Sequence, residues 1–156
     1  MTRNIEGKFL SFLVGGVPLF YKEKQANSII GVGTDIIEID RIRQAIERSG
    51  NRFLERVFTP AEIAYCEAGR DRFPGYAARF AAKEAVLKVM GSGLQHCRWV
   101  DVEVRRGTDG PPEVMLHGNA AELARARGIR EWYLSVSHSK KNAVAFAIAT
   151  GRRGNV

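Results

Sequence analysis

The stretch that most constrains the fold is the segment from Tyr76 to Gly93, which reads YAARFAAKEAVLKVMGSG. Its alanine-rich composition favours a helix. Pro74 and Gly75 mark the entry to this helix, and Gly91 supplies the positive φ that commonly stops a helix just past its C-terminus. Small apolar side chains recur at helical spacing and predict a ridge that packs closely against a sheet: Ala77, Ala81, Ala85 and Val89.

A charged border lies beside this ridge. It consists of Arg79, Lys83, Glu84 and Lys88, so that a single carboxylate stands among three cations. The simplest interpretation is a surface salt bridge between Glu84 and Lys88, which are four positions apart and therefore neighbours on a helix. A functional interpretation of Glu84 requires a second acid from elsewhere in the chain.

The charge balance of the chain is strongly positive. Its 24 Lys and Arg residues against 17 Asp and Glu give a net charge of +7 and a pI near 9.8. This positive charge favours an anionic partner. The candidates are a nucleic acid, a phosphorylated cofactor, an acidic protein and a membrane surface. Cys66 and Cys97 lack the spacing of a zinc site or a disulfide framework, and we therefore expect free thiols and a cytoplasmic location.

Residues 1–27 differ in character from the rest of the chain. An apolar run from Phe9 to Phe20 follows Arg3 and Lys8, which is the outline of a secretory signal. However, an acid interrupts the basic start, glycine and proline break the run, and no small-residue cleavage site follows. The run is also shorter than the roughly 20 residues that cross a bilayer. We expect an N-terminal extension without stable membrane association, with a targeting or membrane-touching segment as the alternative.

The second acid of interest is Asp35. Residues 29–33, IIGVG, predict a short buried strand, and a helix with apolar positions at 39, 42 and 46 opens shortly afterwards. Asp35 lies near the end of this strand, where it is either a turn and capping residue or a metal ligand. The glycines around it do not complete a dinucleotide-binding fingerprint.

The remaining pattern alternates helices with strands. Asn51 to Val57 predicts a short helix, and Thr59 followed by Pro60 and Glu62 predicts the capped start of another. The alternation from Trp99 to Arg105 predicts a strand, of which one face is apolar and the other faces water. The wet face comprises Asp101, Glu103 and Arg105.

After this strand the pattern predicts a turn at 108–112 and a hairpin partner at 113–117. A short helix at 119–127 follows, and two apolar strands at 132–137 and 143–150 flank a loop at 138–142. Residues 28–152 therefore read as one α+β domain, in which an antiparallel sheet packs on a long helix, and residues 153–156 form a tail.

Five motifs together resemble a known family. They are GVGTDIIEIDRI, RVFTPAEIAYC, RFAAKEAVLKVMGSG, DGPP and SVSHSKKNAVAFAIA. Their order and intervals are similar to those of the holo-acyl-carrier-protein synthases, the small bacterial branch of the 4′-phosphopantetheinyl transferases. The resemblance runs from about Ile29 to Ala149 and leaves residues 1–27 outside. It implies the fold of that family.

The resemblance also implies an activity and a set of site residues. The activity is transfer of the 4′-phosphopantetheine arm from coenzyme A to a serine of an acyl carrier protein, which releases adenosine 3′,5′-bisphosphate. Asp35 and Glu84 match the family's ligands for Mg²⁺, which binds together with the coenzyme A pyrophosphate. Lys88 matches a lysine that reaches a phosphate oxygen.

Further matches concern the coenzyme A site. His138 and Ser139 match a phosphate-binding loop, and the general base is either His138 or a water on the metal. Arg79 and Lys83 match cations that contact the nucleotide or a neighbouring subunit. Gly110 and Pro112 match a turn that lies near the nucleotide across a subunit boundary.

The resemblance finally implies two kinds of protein contact. Family members are typically homotrimers with active sites between subunits. An acidic carrier protein is expected to dock on the helix after Asp35, where the basic side chains are Arg41, Arg43 and Arg48. Which carrier protein is served stays open.

Two rival functions are less compatible with the sequence. A nucleic-acid-binding domain suits the pI, but the cations are spread along the chain and no aromatic side chains interleave with them. A carrier-binding subunit without catalysis is the other rival, and the presence of Asp35, Glu84 and Lys88 argues against it.

Overall fold

The computed structural model describes residues 13–14, 17–18, 27–91, 93–107 and 110–152. Within the N-terminal extension it shows two short strands, β1 (Leu13–Val14) and β2 (Val17–Pro18), which pair with each other antiparallel. The rest of the apolar run from Phe9 to Phe20 lies outside the described residues. In the described part of the chain, no helix is both long enough and apolar enough to cross a membrane.

The remaining elements alternate as the sequence predicts. The helices are α1 (Ile39–Ser49), α2 (Asn51–Val57), α3 (Pro60–Glu67), α4 (Arg72–Met90) and α5 (Gly118–Ala126). The strands are β3 (Ser28–Glu38), β4 (Val102–Arg105), β5 (Glu113–Leu116), β6 (Ile129–His138) and β7 (Asn142–Gly151).

The main sheet has three antiparallel strands in the order β3, β7, β6. Its register aligns Asp35 of β3 with Ala145 of β7 and Ala145 with Val136 of β6. A separate hairpin is formed by β4 and β5. The α+β architecture with an antiparallel sheet and one long helix, predicted from the sequence, is confirmed.

Helix α4 packs against the sheet through its smallest side chains. The predicted ridge is buried, with Ala77, Ala81 and Ala85 fully inaccessible to solvent. Gly33 of β3 permits this close approach, since a Cβ at Gly33 would lie 2.0 Å from the Ala85 carbonyl oxygen. Gly33 of the IIGVG segment therefore allows the helix to pack closely on the sheet.

The start of α4 differs from the prediction. The helix begins at Arg72, four positions before Tyr76, because the Asp71 carboxylate accepts the backbone N–H of Phe73 at 3.1 Å and caps the first turn. Pro74 lies inside that first turn, where its missing N–H breaks no helical hydrogen bond. The C-terminal prediction is confirmed, since Gly91 has φ +65.

The predicted wet face of the strand at 99–105 is wrong for two of its three residues. Trp99 to Asp101 form a 3-10 turn, and the strand begins only at Val102. Asp101 and Glu103 are 2% and 4% exposed. Both carboxylates are buried because they have partners: Asp101 accepts hydrogen bonds from Arg98, and Glu103 pairs with Arg105 and His117.

The face of the sheet that points away from α4 is apolar and exposed. Its exposed large side chains are Val32, Ile36, Tyr133, Val144 and Phe146. Alternation along the strands explains this face, since neighbouring residues such as Gly33, Ile37, Ala143 and Ala145 are buried beneath α4. The β3 segment predicted to be a fully buried strand is thus covered on one face only.

Candidate active site

The predicted site residues Asp35 and Lys88 meet between β3 and α4. The Lys88 ammonium lies 2.8 Å from Asp35 Oδ1 and also donates a 2.8 Å hydrogen bond to the Thr34 carbonyl oxygen. The Asp35 side chain is 18% exposed and the Lys88 side chain is 51% exposed. Lys88 therefore pairs with Asp35 across the packing interface, and the simple salt bridge to Glu84 does not form in this structure.

Glu84 lies one turn before Lys88 on α4 and is half-buried. Burial raises the pKa of its carboxyl group, the negative charge of Asp35 raises it further, and Lys88 opposes both effects. A nearby cation is needed to offset the electrostatic repulsion between these two carboxylates at the edge of a groove. Lys88 supplies part of this charge, and its position leaves the Glu84 oxygens without a salt bridge among the described residues.

The two acids open onto a groove of about 360 Å³ between β3, α1 and α4. The lining also includes the cationic side chains of Arg41 and Arg48 of α1, which we call the basic wall. The apolar part of the lining includes Phe53 and Phe80. One groove thus brings together an acidic end and a basic wall.

A second basic feature adjoins this groove. Arg48 and Phe53 are shared with a neighbouring depression of about 460 Å³, to which α2 contributes Arg52 and Arg56. These two arginines were not singled out from the sequence. The spacing of Arg52 and Arg56 was a usable signal, because residues four positions apart lie on the same face of a helix.

Arg43 does not share this surface. Its guanidinium forms a 3.4 Å ion pair with Asp40 and lies 4.1 Å from the centre of the Phe73 ring. It therefore belongs to the side of α1 that faces the start of α4, and not to the groove wall that holds Arg41.

His138 and Ser139 lie at the same end of the sheet as the acidic cluster, which consists of Asp35 and Glu84. His138 is the last residue of β6 and is paired with Ala143, which is also the partner of Ile37, two residues beyond Asp35. The imidazole is exposed, and its Nδ1 lies 3.4 Å from the Ser139 carbonyl oxygen. The Ser139 hydroxyl accepts the backbone N–H groups of Lys141 and Asn142 and orders the turn.

Lys83, which was expected to contact the nucleotide or a neighbouring subunit, is inside the domain. Its side chain is 0% exposed, and its ammonium pairs with Glu62 at 2.8 Å. Burial lowers the pKa of Lys83, and the Glu62 carboxylate opposes this shift. An ammonium in this place does not reach the groove, and we leave Lys83 out of the proposed coenzyme A site.

Arg79, the other cation predicted to contact the nucleotide or a neighbouring subunit, is 8% exposed. Its guanidinium carbon lies 3.9 Å from the centre of the Tyr65 ring, and its Nε is buried without a hydrogen-bond partner. Within this chain Arg79 therefore packs between α3 and α4 and does not line the groove that holds the acids.

Gly110 and Pro112 lie apart from the acidic cluster. They line a separate groove of about 590 Å³, whose opposite side is formed by Arg130, Trp132 and Tyr133 of β6. None of the residues that line this groove also lines the groove that holds Asp35 and Glu84.

The donor set of the groove suits a hard divalent cation. Carboxylate oxygens are the ligands that Mg²⁺ prefers, and this ion commonly takes one or two protein carboxylates together with waters and phosphate oxygens. Among the described residues there is no cluster of three or more His, Cys, Asp or Glu side chains that would form an all-protein cage. Asp35 and Glu84 thus fit a site that substrate phosphates complete.

Comparisons with known proteins identify the family of this chain. Residues 31–149 match the family model of the 4′-phosphopantetheinyl transferase superfamily. The chain is 53% identical over 123 residues to a holo-acyl-carrier-protein synthase of Desulforudis audaxviator, which covers 79% of this chain and 94% of the relative.

Solved structures resemble this one in the same way. The holo-ACP-synthase of Plasmodium yoelii superposes with a TM-score of 0.71 at 36% identity, over 83% of this chain and 100% of that one. A Bacillus anthracis holo-(acyl-carrier-protein) synthase in complex with CoA (3′,5′-ADP) superposes with a TM-score of 0.66 at 32% identity, over 81% and 100% of the two chains. The chain therefore belongs to the holo-acyl-carrier-protein synthases, a family of enzymes within the 4′-phosphopantetheinyl transferase superfamily.

Proposed function

We propose that this protein transfers 4′-phosphopantetheine from coenzyme A to a serine hydroxyl of an apo acyl carrier protein. The observation that carries the proposal is the meeting of Asp35, Glu84 and Lys88 at the acidic end of a groove with an arginine wall. These residues come from one strand and one helix that are far apart in sequence. Their convergence gives a phosphate-binding and metal-binding site beside a surface suited to an acidic protein.

In the proposed reaction, the serine oxygen forms a bond to the phosphorus that carries pantetheine. The bond from that phosphorus to the bridging oxygen breaks, and adenosine 3′,5′-bisphosphate leaves with the electron pair. The serine proton passes to a base. Mg²⁺, when bound, neutralises pyrophosphate charge and polarises the phosphoryl oxygens.

The chain's own residues hold and neutralise charge in this scheme. Asp35 and Glu84 would hold the metal. Burial and then the charge of Asp35 raise the pKa of Glu84, and a bound cation would favour its ionised form. Lys88 exchanges its contact with Asp35 for a phosphate oxygen, which its half-exposed side chain allows. His138 binds and positions the phosphates from the end of β6.

The carrier protein is proposed to bind at the basic wall. Arg41 and Arg48 line the groove itself, and Arg52 and Arg56 extend the positive surface onto α2. An acidic carrier protein is steered to such a surface, and its serine then enters next to the metal ligands. Arg43 is excluded from this proposal because Asp40 and Phe73 already engage it.

We further propose that the protein assembles as a homotrimer. Support comes from the exposed apolar face of the β3, β7, β6 sheet, where Ile36 is 68% exposed and Phe146 is 44% exposed. The number of subunits follows from the family resemblance. Assembly through this face offers a way for the turn at Gly110 and Pro112 to reach the acidic cluster of a neighbouring subunit.

The test is the intact mass of a purified apo acyl carrier protein after incubation with this protein, coenzyme A and Mg²⁺. We expect a gain of one phosphopantetheine that is abolished by a chelator. Glu84→Ala is the matched variant, and it is expected to be inactive while remaining folded. A lack of transfer to every carrier tested would refute the proposal, and full activity of Glu84→Ala would refute the metal assignment alone.

A further inference from the structure

Among the ion pairs of the described residues, Glu62 and Lys83 form the one in which both side chains are buried, and the proposed chemistry does not use it. Glu62 is 1% exposed and Lys83 is 0% exposed, and their charged atoms are 2.8 Å apart. Buried ion pairs are often replaceable by well-packed apolar side chains without loss of stability. The fold alone therefore does not require an ion pair at this place, and the directional contacts of the pair point to a second role.

Each partner of the pair fixes backbone groups from other segments. Glu62 accepts the Thr59 N–H at 2.8 Å and, through its other oxygen, the Val104 N–H at 2.9 Å. The Lys83 ammonium donates to the carbonyl oxygen of Trp99 at 3.1 Å and to that of Val102. The pair thereby joins the start of α3, the middle of α4, the 3-10 turn and strand β4.

The 3-10 turn carries this constraint to the groove. The Trp99 ring stacks on the Phe80 ring with centroids 4.7 Å apart and an interplanar angle of 29°. Phe80 lines the groove together with Asp35 and Glu84. A continuous series of contacts thus leads from the buried ammonium through Trp99 to the apolar wall beside the two acids.

We propose that Lys83, held by Glu62, is a positioning residue that sets the Phe80 wall of the carrier-protein groove through Trp99. This inference rests on the proposed carrier-protein transfer. The Lys83 ammonium has three donors for three oxygen partners, which fixes the Trp99 carbonyl in direction as well as distance. Phe80 is then presented to the incoming carrier in a single orientation.

The first test compares Michaelis constants in a variant that lacks both charges, Lys83→Met with Glu62→Gln. Removing both avoids leaving one buried charge without a partner. Since an aromatic stack of ordinary strength is lost, we expect KM for the apo carrier protein to rise roughly three- to tenfold. KM for coenzyme A is expected to stay unchanged.

A merely structural role predicts a different result. If the pair only stabilised the fold, the variant would contain less active enzyme, so kcat would fall with the folded fraction while KM for the carrier stayed constant. That outcome would overturn the inference. Arg125→Met, an exposed change on α5, is the control for a generic cation-to-methionine substitution and is expected to change neither constant.

A second variant tests the same path without touching the buried pair. Trp99→Leu keeps the backbone carbonyl that Lys83 binds and removes only the ring that stacks on Phe80. It is expected to raise KM for the carrier as much as the double variant does, and Trp99→Phe is expected to restore most of the affinity. A wild-type KM in Trp99→Leu would contradict the inference.

A spectroscopic readout separates this inference from the proposed function. In a Trp132→Phe background, the emission of Trp99 reports its stacking on Phe80. We expect a red shift when the Glu62 and Lys83 charges are removed. An absence of transfer by the wild-type protein would refute the proposed function, whereas an unchanged Trp99 emission would refute the positioning role.

Discussion

The Lys88 ammonium and Asp35 Oδ1 lie 2.8 Å apart, although the two residues are separated by 53 positions in the sequence. The Lys88 side chain is half-exposed, and ion pairs that are open to solvent contribute only about 0–1 kcal/mol to stability. Lys88→Ala is therefore expected to leave the melting temperature nearly unchanged. Because one charge that stabilises the leaving group is lost, kcat should fall by about 10²–10³-fold. Calorimetry and steady-state kinetics on the same preparation check this, and a parallel loss of stability and activity would contradict it.

Glu84 is expected to trade stability for function. Its raised pKa means that, as pH rises from the ordinary carboxyl value, the folded protein keeps a proton that the unfolded chain releases. Stability from this group is therefore lost as pH rises through that window. Glu84→Gln should melt at a higher temperature than the wild type at neutral pH, and the difference should vanish below pH of about 3, where Glu84 is protonated in both the folded and the unfolded state.

The same variant tests the metal site without an activity assay. Mg²⁺ is expected to raise the melting temperature of the wild type, because binding to the folded state stabilises it, and to have no effect on Glu84→Gln. Thermal denaturation with and without the ion measures both effects. An equal response of the two proteins to Mg²⁺ would place the ion elsewhere.

The arginine wall predicts a selective effect on the carrier protein. Charge reversal in Arg41→Glu should raise the apparent KM for the carrier by about tenfold or more and leave KM for coenzyme A nearly unchanged. Arg43→Glu is the matched control on the same helix, since Arg43 already pairs with Asp40 away from the groove. Equal effects of the two variants, or of Arg41→Glu on both substrates, would argue against this docking surface.

The contact between β3 and α4 predicts a severe effect of one methyl group. A Cβ at position 33 would lie 2.0 Å from the Ala85 carbonyl oxygen, so Gly33→Ala must push the helix from the sheet. We expect a loss of about 1–3 kcal/mol or more in the free energy of unfolding, measured with urea. Gly110→Ala, where nothing lies within 4 Å of the added Cβ, is the control and should be nearly neutral.

The exposed sheet face predicts the behaviour of the protein in solution. Phe146→Glu puts a charge in the middle of this face, and we expect it to convert the trimer into monomers as measured by light scattering. Activity should fall with it, because the turn at Gly110 would lose its neighbour. A wild-type monomer at micromolar concentration would contradict the assembly proposal.

The sequence predicts local structure well where the residues that determine it are close together in the chain. The Thr59 and Glu62 capping box forms as predicted, with the Glu62 carboxylate accepting the Thr59 N–H at 2.8 Å. Gly91 ends α4, and the apolar positions 39, 42 and 46 of α1 are buried. Each of these depends on residues within one or two helical turns of each other.

The errors concern charged groups whose burial depends on where the tertiary structure places them and their partners. Glu103 alternates with apolar residues and looks wet, but Arg105 and His117 make its burial acceptable. Lys83 lies in a motif rich in site residues, and only the tertiary position of Glu62 and the Trp99 turn explains why it is inside. Convergence of Asp35 with Glu84 likewise depended on the family resemblance, because 49 positions separate them.

The adjacent residues Lys83 and Glu84 have opposite destinations, one in the core and the other in the groove. A rotation of α4 by one residue, about 100°, would bring an unpaired carboxylate towards the Trp99 and Val102 carbonyls and move the ammonium outwards. Both displacements would cost free energy. The apolar packing of an alanine-rich helix alone would not penalise the rotated helix in this way. These two neighbouring charges of opposite sign thus favour a single rotation of α4 about its own axis.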